Sequence, residues 1–217
     1  MTRWARWWPL TGIAFVALYF IAFVVSTSPD SHDTDSEILA HYAKHSNRVR
    51  DFVTFFLVLA ALLVLVWFLS LLRDRLIQTE GRAGVFTALA FGSGLVAGAL
   101  WLVGIASFTA PSGAISETSK FKLDPNTFRL LNDLGYGIWF SGTTIMAILV
   151  FATAILSLRT GFLPKWLAWL SFVVGATMLV AFFFIPFLIM LGWFLVTSIT
   201  LIVRPWRPTA QPPPVPQ

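Results

Sequence analysis

Long stretches without a charged side chain constrain this sequence more than any motif in it. Asp, Glu, Lys and Arg are absent from residues 7–29, 52–72, 83–116, 134–158 and 166–203. Each stretch meets or exceeds the roughly 20 residues that carry a helix, at about 1.5 Å per residue, across a hydrocarbon core about 30 Å thick. A soluble core helix can be apolar on every side once, but hardly five times in 217 residues. The charged share of 12% is about half that of a soluble domain. An all-α, polytopic transmembrane helical bundle is therefore expected.

The first four spans fall at 10–25, 52–72, 84–108 and 135–158. The last stretch, 166–203, would make one helix about 57 Å long, nearly twice the hydrocarbon thickness. It divides into 166–184 and 187–203, with the reversal placed at Ile185 because Pro186 lacks an N–H and disfavours helix before it. Six spans with both termini in the cytoplasm put Arg3, Arg6, Arg73, Arg75, Arg82, Arg159, Lys165, Arg204 and Arg207 inside. Asp74 and Glu80 are the acids that join them. That is the expected bias of basic residues in a plasma-membrane protein. Trp4, Trp7, Trp8, Trp67, Trp166, Trp169 and Trp206 gather near the same inner ends, where amphipathic rings settle among headgroups. The formal charge of +5 is read as a topology signal, since no basic run or aromatic motif points to nucleic acid. Arg3 and Arg6 ahead of the first span resemble the start of a secretory signal. The long apolar stretch and the lack of a small-x-small site favour a retained span instead. The chain has no cysteine, so disulfides, thiolate metal sites and cysteine nucleophiles are excluded.

A single domain, 1–203, precedes a Pro-rich cytoplasmic tail, 204–217, expected to be extended and disordered, with PxxP spacing from Pro213 to Pro216. The two sizeable polar segments, 26–51 and 109–134, lie outside. In the first, Thr34-x-x-Glu37 has capping-box spacing and opens an amphipathic helix with Ile38, Tyr42 and Val49 on one face. In the second, Pro111, Ser112 and Gly113 read as a flexible stretch. Asp124-Pro125 reads as an N-cap followed by proline at the first helical position. That helix is expected to loosen at Gly135 and Gly137.

Three stretches carry a family resemblance: residues 37–51, EILAHYAKHSNRVRD; residues 72–81, LRDRLIQTEG; and residues 159–171, RTGFLPKWLAWLS. With these in their places, the chain resembles an uncharacterised family of six-span membrane proteins common in actinobacteria, described only as a domain of unknown function. The resemblance implies six spans and no particular reaction, ligand or catalytic residue.

The sharpest polar constellation is Glu37, His41 and His45. Spacings of four stack a carboxylate and two imidazoles on one helical face, a set able to hold zinc or another divalent ion. The plainer reading is a solvated charged face, because Lys44 and Arg48 share it. The histidines, titrating near neutrality, also suit a pH sensor. In the third span Ala90, Gly94 and Gly98 recur every four residues, a pattern for close helix packing or self-association. The fourth span is the most polar. A ligand-lined cavity there would open outward near Asn132, Asp133 and Tyr136 and involve Ser141 and Thr144. The plainer reading has those hydroxyls bonded to their own helix, and Asp133 paired with Arg129. No Asp, Glu, Lys, Arg or His sits in the middle of a span, which argues against a coupled pump or voltage sensor.

The leading expectation is a non-enzymatic bundle that binds a partner protein or an apolar, lipid-like ligand through its outer side, with the bilayer around it. The alternatives are a metal-dependent membrane enzyme using Glu37, His41 and His45, and an uncoupled small-solute permease.

Overall fold

The computed structural model describes residues 7–80, 84–180 and 184–203. These form seven helices and no strand: α1 (Leu10–Val25), α2 (Asp35–Ala43), α3 (His45–Glu80), α4 (Val85–Glu117), α5 (Pro125–Thr160), α6 (Lys165–Leu179) and α7 (Phe184–Val203). Local chemistry sets several of their ends. Pro9 precedes α1 with φ −68°, near the value its ring imposes. Thr34 and Glu37 close a reciprocal capping box at the start of α2. Arg48 donates to the carbonyls of Tyr42 and Ala43, covering the C-terminal end of α2. Asp124 accepts from the Thr127 N–H, with Pro125 opening α5. Gly161, at φ +71°, ends α5 in the left-handed region where a side chain would be strained.

The six longer helices make a ring. α1 packs on α3, α3 on α4, α4 on α5, α5 on α6 and α6 on α7, and α7 returns to α1. α3 and α5 also touch across the middle, and α2 rests on both. The ring interior is filled by large side chains, with Phe15, Phe68, Trp101, Met146, Phe187 and Phe194 all fully buried. The tightest approach is between α4 and α5. A Cβ on Gly104 would stand 3.1 Å from the Gly135 carbonyl oxygen, and one on Gly142 would stand 3.0 Å from that of Ala97. Small residues let these two backbones meet. Outward faces are apolar instead of polar, with Leu63 66% exposed and Trp67, Trp169, Val173 and Ile185 also exposed. In water such a surface would be an aggregation hazard. Four helices, α3, α4, α5 and α7, are long and apolar enough to cross a membrane, while α1 and α6 are shorter apolar helices. These helices and their apolar outer faces mark a membrane protein.

Several boundaries differ from the sequence expectation. α3 and α4 run well beyond 52–72 and 84–108, because a helix can continue past its apolar run wherever other residues pack on it, whereas α5 opens at Pro125, where the Asp124-Pro125 signal puts its start. Pro111, Ser112 and Gly113 are helical within α4. Proline there forgoes the one bond its N–H would make to Ser107, and Pro111 and Ser112 are both buried. α5 continues through Gly135 and Gly137 without interruption. The last two helices are Lys165–Leu179 and Phe184–Val203, not 166–184 and 187–203. Pro186 lies in the first turn of α7, where an N–H has no intrahelical partner to lose. The expected amphipathic helix breaks at Lys44, so Val49 belongs to α3 and is exposed. Arg3, Trp4, Arg6, Arg82, Arg204, Trp206, Arg207 and the Pro213–Pro216 spacing lie outside the described residues.

Candidate functional site

At the end of the ring that carries α2, the helices part around a cavity of about 410 Å³. That lies within the usual range of small-molecule sites, about 300–1,000 Å³. α1 contributes Tyr19, Ala22 and Phe23, α3 contributes Asp51, Thr54 and Val58, and α4 contributes Ile105, Phe108 and Thr109. α5 adds Asn132, Tyr136 and Trp139, and α7 adds Phe184 and Phe187. The segment between α1 and α2 supplies Ser26, Ser28, Pro29 and Asp30 as a polar rim.

The apolar floor is held in place by a hydrogen-bonded aromatic chain. Trp139 Nε1 donates to the Tyr19 hydroxyl at 3.0 Å, and Trp101 Nε1 donates to the Trp139 carbonyl at 3.1 Å and the Thr143 hydroxyl at 3.2 Å. Ring contacts of 5.1 Å from Tyr19 to Phe187 and 4.5 Å from Trp139 to Phe187 tie α1, α5 and α7 together. Below them Phe15, Trp101 and Phe194 are fully buried, with the Phe15 ring 6.4 Å from that of Trp101 and 5.2 Å from that of Phe194.

The rim is tethered to α5. Arg129 donates through Nε to the Ser31 carbonyl at 3.1 Å. Its Nη2 donates to the Asp33 carbonyl at 3.0 Å and pairs with Asp35 at 2.7 Å. Asn132 donates to the Ser31 hydroxyl, which donates in turn to Asp133, both at 2.7 Å. A small second core of Ile38, Tyr42 and Phe128 packs α2 onto α5 beside this rim.

Among the described residues Asp51 is the one carboxylate buried in the cavity wall, 1% exposed, with Ser112 of α4 donating to its Oδ2. Thr54, one turn along α3, is 4% exposed, and its hydroxyl has no partner within the protein. Among the described residues, the side chains lining the cavity include no Lys, Arg or His. His41, on α2, is a basic group whose charge influences Asp51. Burial lowers its pKa and disfavours the imidazolium, Asp51 pulls the other way, and Lys44 adds to the lowering.

Of the residues singled out from sequence, Asn132 and Tyr136 line the cavity. Asp133 sits beside them on the rim, bonded to Ser31 instead of Arg129. Ser141 is exposed and donates to the carbonyl of Gly137, four residues earlier on its own helix. Thr144 lies away from the cavity with its hydroxyl unpartnered. Glu37, His41 and His45 are not on one helical face, because the helix breaks between Ala43 and His45. Glu37 is engaged by the Thr34 hydroxyl and N–H, which hold its carboxyl below the usual range. His41 Nδ1 faces the Asn47 amide at 3.2 Å. Among the described residues no three His, Asp or Glu side chains stand together as a metal-holding group. Ala90 is buried, and a Cβ on Gly94 would meet Leu69 of α3 and Leu149 of α5, so both positions serve packing inside the ring. Gly98 faces Leu62 and Leu65 at ordinary contact distance. Asp51 and Ser112 were missed. They lie 61 residues apart, and only the pairing of α3 with α4 brings them together.

A family model described as Domain of unknown function (DUF4386) matches residues 10–204. The chain belongs to the DUF4386 family. No curated protein and no solved structure matches it. The stretches that carried the resemblance each do structural work in this member of the family. Residues 37–51 contribute Ile38 and Tyr42 to the second core, the Arg48 cap and the buried Asp51. In 72–81, Leu72 and Leu76 are buried and the Glu80 carboxylate accepts from the N–H groups of Phe86 and Thr87 at the start of α4. In 159–171, Gly161 ends α5, Phe162 and Leu163 are buried, and Ser171 accepts from Trp193 Nε1 at 2.7 Å.

Proposed function

We propose that this DUF4386 protein spans the plasma membrane six times with both termini in the cytoplasm, and that its α2 end faces outward as a non-enzymatic binding site for an apolar, lipid-like ligand. The cavity carries this reading, being largely apolar, enclosed by five helices, and rimmed by polar groups. The orientation follows from the basic residues, which favour the opposite end. Exposed Trp7, Trp166 and Trp169 lie toward that opposite end, as an interfacial belt would require. The fully buried rings of Phe15, Trp101 and Phe194 beneath the cavity favour binding over passage of a solute. The broken Glu37, His41, His45 face favours it over metal-dependent chemistry.

Native mass spectrometry of the gently solubilised protein beside Ala22→Phe tests the reading, since Ala22 is buried in the cavity wall. The wild type should retain an apolar molecule that the variant loses. Equal retention, or an empty wild type that no lipid stabilises against heating, overturns it. A one-to-one divalent ion lost in His41→Ala/His45→Ala would favour the metalloenzyme instead. The absence of cysteine makes topology simple to read with an impermeant maleimide on intact cells. Lys120→Cys should label and Lys165→Cys should not, both positions being exposed.

A further inference from the structure

We infer that the ligand of this cavity is an organic cation with an apolar body, its charge set against the Asp51 carboxylate and its body against the surrounding rings. This rests on the binding reading above and names the chemistry of the ligand. Tyr19, Phe108, Tyr136, Trp139, Phe184 and Phe187 all line the same space. Aromatic faces carry negative potential, and cages of such rings hold substituted ammonium groups. Into this space the wall presents Asp51, and the rim adds Asp30, which is exposed.

A carboxylate removed from water is costly to hold without a positive partner. Within the protein Asp51 is bonded by a neutral hydroxyl, that of Ser112. Among the described residues the lining supplies no cation, and burial disfavours the charged form of His41, whose charge Asp51 feels. Thr54 places a second buried polar atom in the same wall, unpartnered within the protein. The polar needs of this wall are therefore a positive charge and a hydrogen-bonding group, while the remaining surface is mostly rings and aliphatic side chains. An amine or quaternary ammonium with an apolar body supplies the charge and the fit to the rings, and an anionic headgroup is opposed by both carboxylates.

The test compares benzyltrimethylammonium with its uncharged isostere neopentylbenzene, by equilibrium binding to the full chain in zwitterionic-lipid nanodiscs, corrected for uptake by empty discs. The wild type should prefer the cation at least tenfold. Asp51→Asn should weaken the cation tenfold or more and leave the isostere unchanged, while Asp51→Glu should keep the preference. Asp30→Asn, at the exposed rim, should weaken the cation severalfold, which keeps the test decisive if Asp51→Asn fails to fold. Equal affinity for the two probes, or a preference indifferent to both aspartates, overturns the cation inference. If Ala22→Phe still blocks both probes in that case, the cavity reading stands alone. Binding of neither probe, or binding indifferent to Ala22→Phe, sinks the two readings together.

Discussion

Arg129→Ala should free the rim segment 26–34 while leaving the ring of helices intact. Arg129 gives that segment two hydrogen bonds to main-chain carbonyls, at 3.1 and 3.0 Å, and one ion pair to Asp35. The ion pair counts for little, because the Asp35 side chain is 67% exposed and that of Arg129 is 29% exposed. The two hydrogen bonds are partly buried and come from a charged donor, so each is worth about 1 kcal/mol or somewhat more. Together the tether holds the segment by roughly 2–3 kcal/mol, a factor of about 30 to 150 in its opening equilibrium. The rim amides report that opening directly. Asp30 N–H is bonded to the Asp33 carboxylate, His32 N–H to that of Asp30, and Asp33 N–H to the Asp30 carbonyl. Hydrogen–deuterium exchange in nanodiscs should therefore quicken by that factor at these positions, with α3 and α5 unchanged. Arg129→Lys, which keeps the charge without the planar fork, should fall between. An acceleration under threefold, or one spread evenly over the neighbouring helices, would refute the assignment of the rim's order to Arg129.

Trp139→Phe removes the donor to the buried Tyr19 hydroxyl and should cost about 1–3 kcal/mol, read by reversible unfolding in mixed micelles. Gly104→Ala should destabilise by a similar amount, because its methyl group would meet the α5 backbone at Gly135. Gly113→Ala, open on every side within α4, should instead be neutral or slightly stabilising. Acid should loosen α2 through Glu37. The Thr34 hydroxyl and then its N–H hold the Glu37 carboxyl below its ordinary 4.5, so its contribution is full above that value and is lost as pH falls through the lowered one. Exchange at the N-terminal turn of α2 should then show an acid-dependent rise that Glu37→Gln lacks.

Much of the fold was readable where one physical cause acts alone. α1 occupies residues 10–25 as expected, because Pro9 and the polar Ser26-Thr27-Ser28 bound its apolar run on both sides. The capping box at Thr34 and the Asp124-Pro125 start were legible for the same reason, since each satisfies backbone groups within one turn. Helix ends beyond the apolar runs that carry no such local signal were not legible. Loss of hydrophobicity marks where lipid would stop, whereas Pro111 and Ser112 stay helical because they pack against neighbouring elements. In the candidate site, Asn132 and Tyr136 stood out as polar groups at the mouth of a polar helix. Asp51 looked like any charge flanking an apolar run, and nothing near it in sequence signals that Ser112 will bury it.

The closure of the ring by α1 against α7 has a consequence for how the protein is made. α1 waits for α7, which follows it by about 160 residues, before the face the two share is covered. Phe15 and Tyr19 meet Phe194 and Phe187 only once α7 has been made. The cavity wall shares that seam, since Tyr19 and Ala22 stand on one side of it and Phe184 and Phe187 on the other. During synthesis the site is thus open sideways to lipid until α7 inserts. A chain ending before α7 would keep Asp51 and Ser112 but lack the wall that α7 supplies.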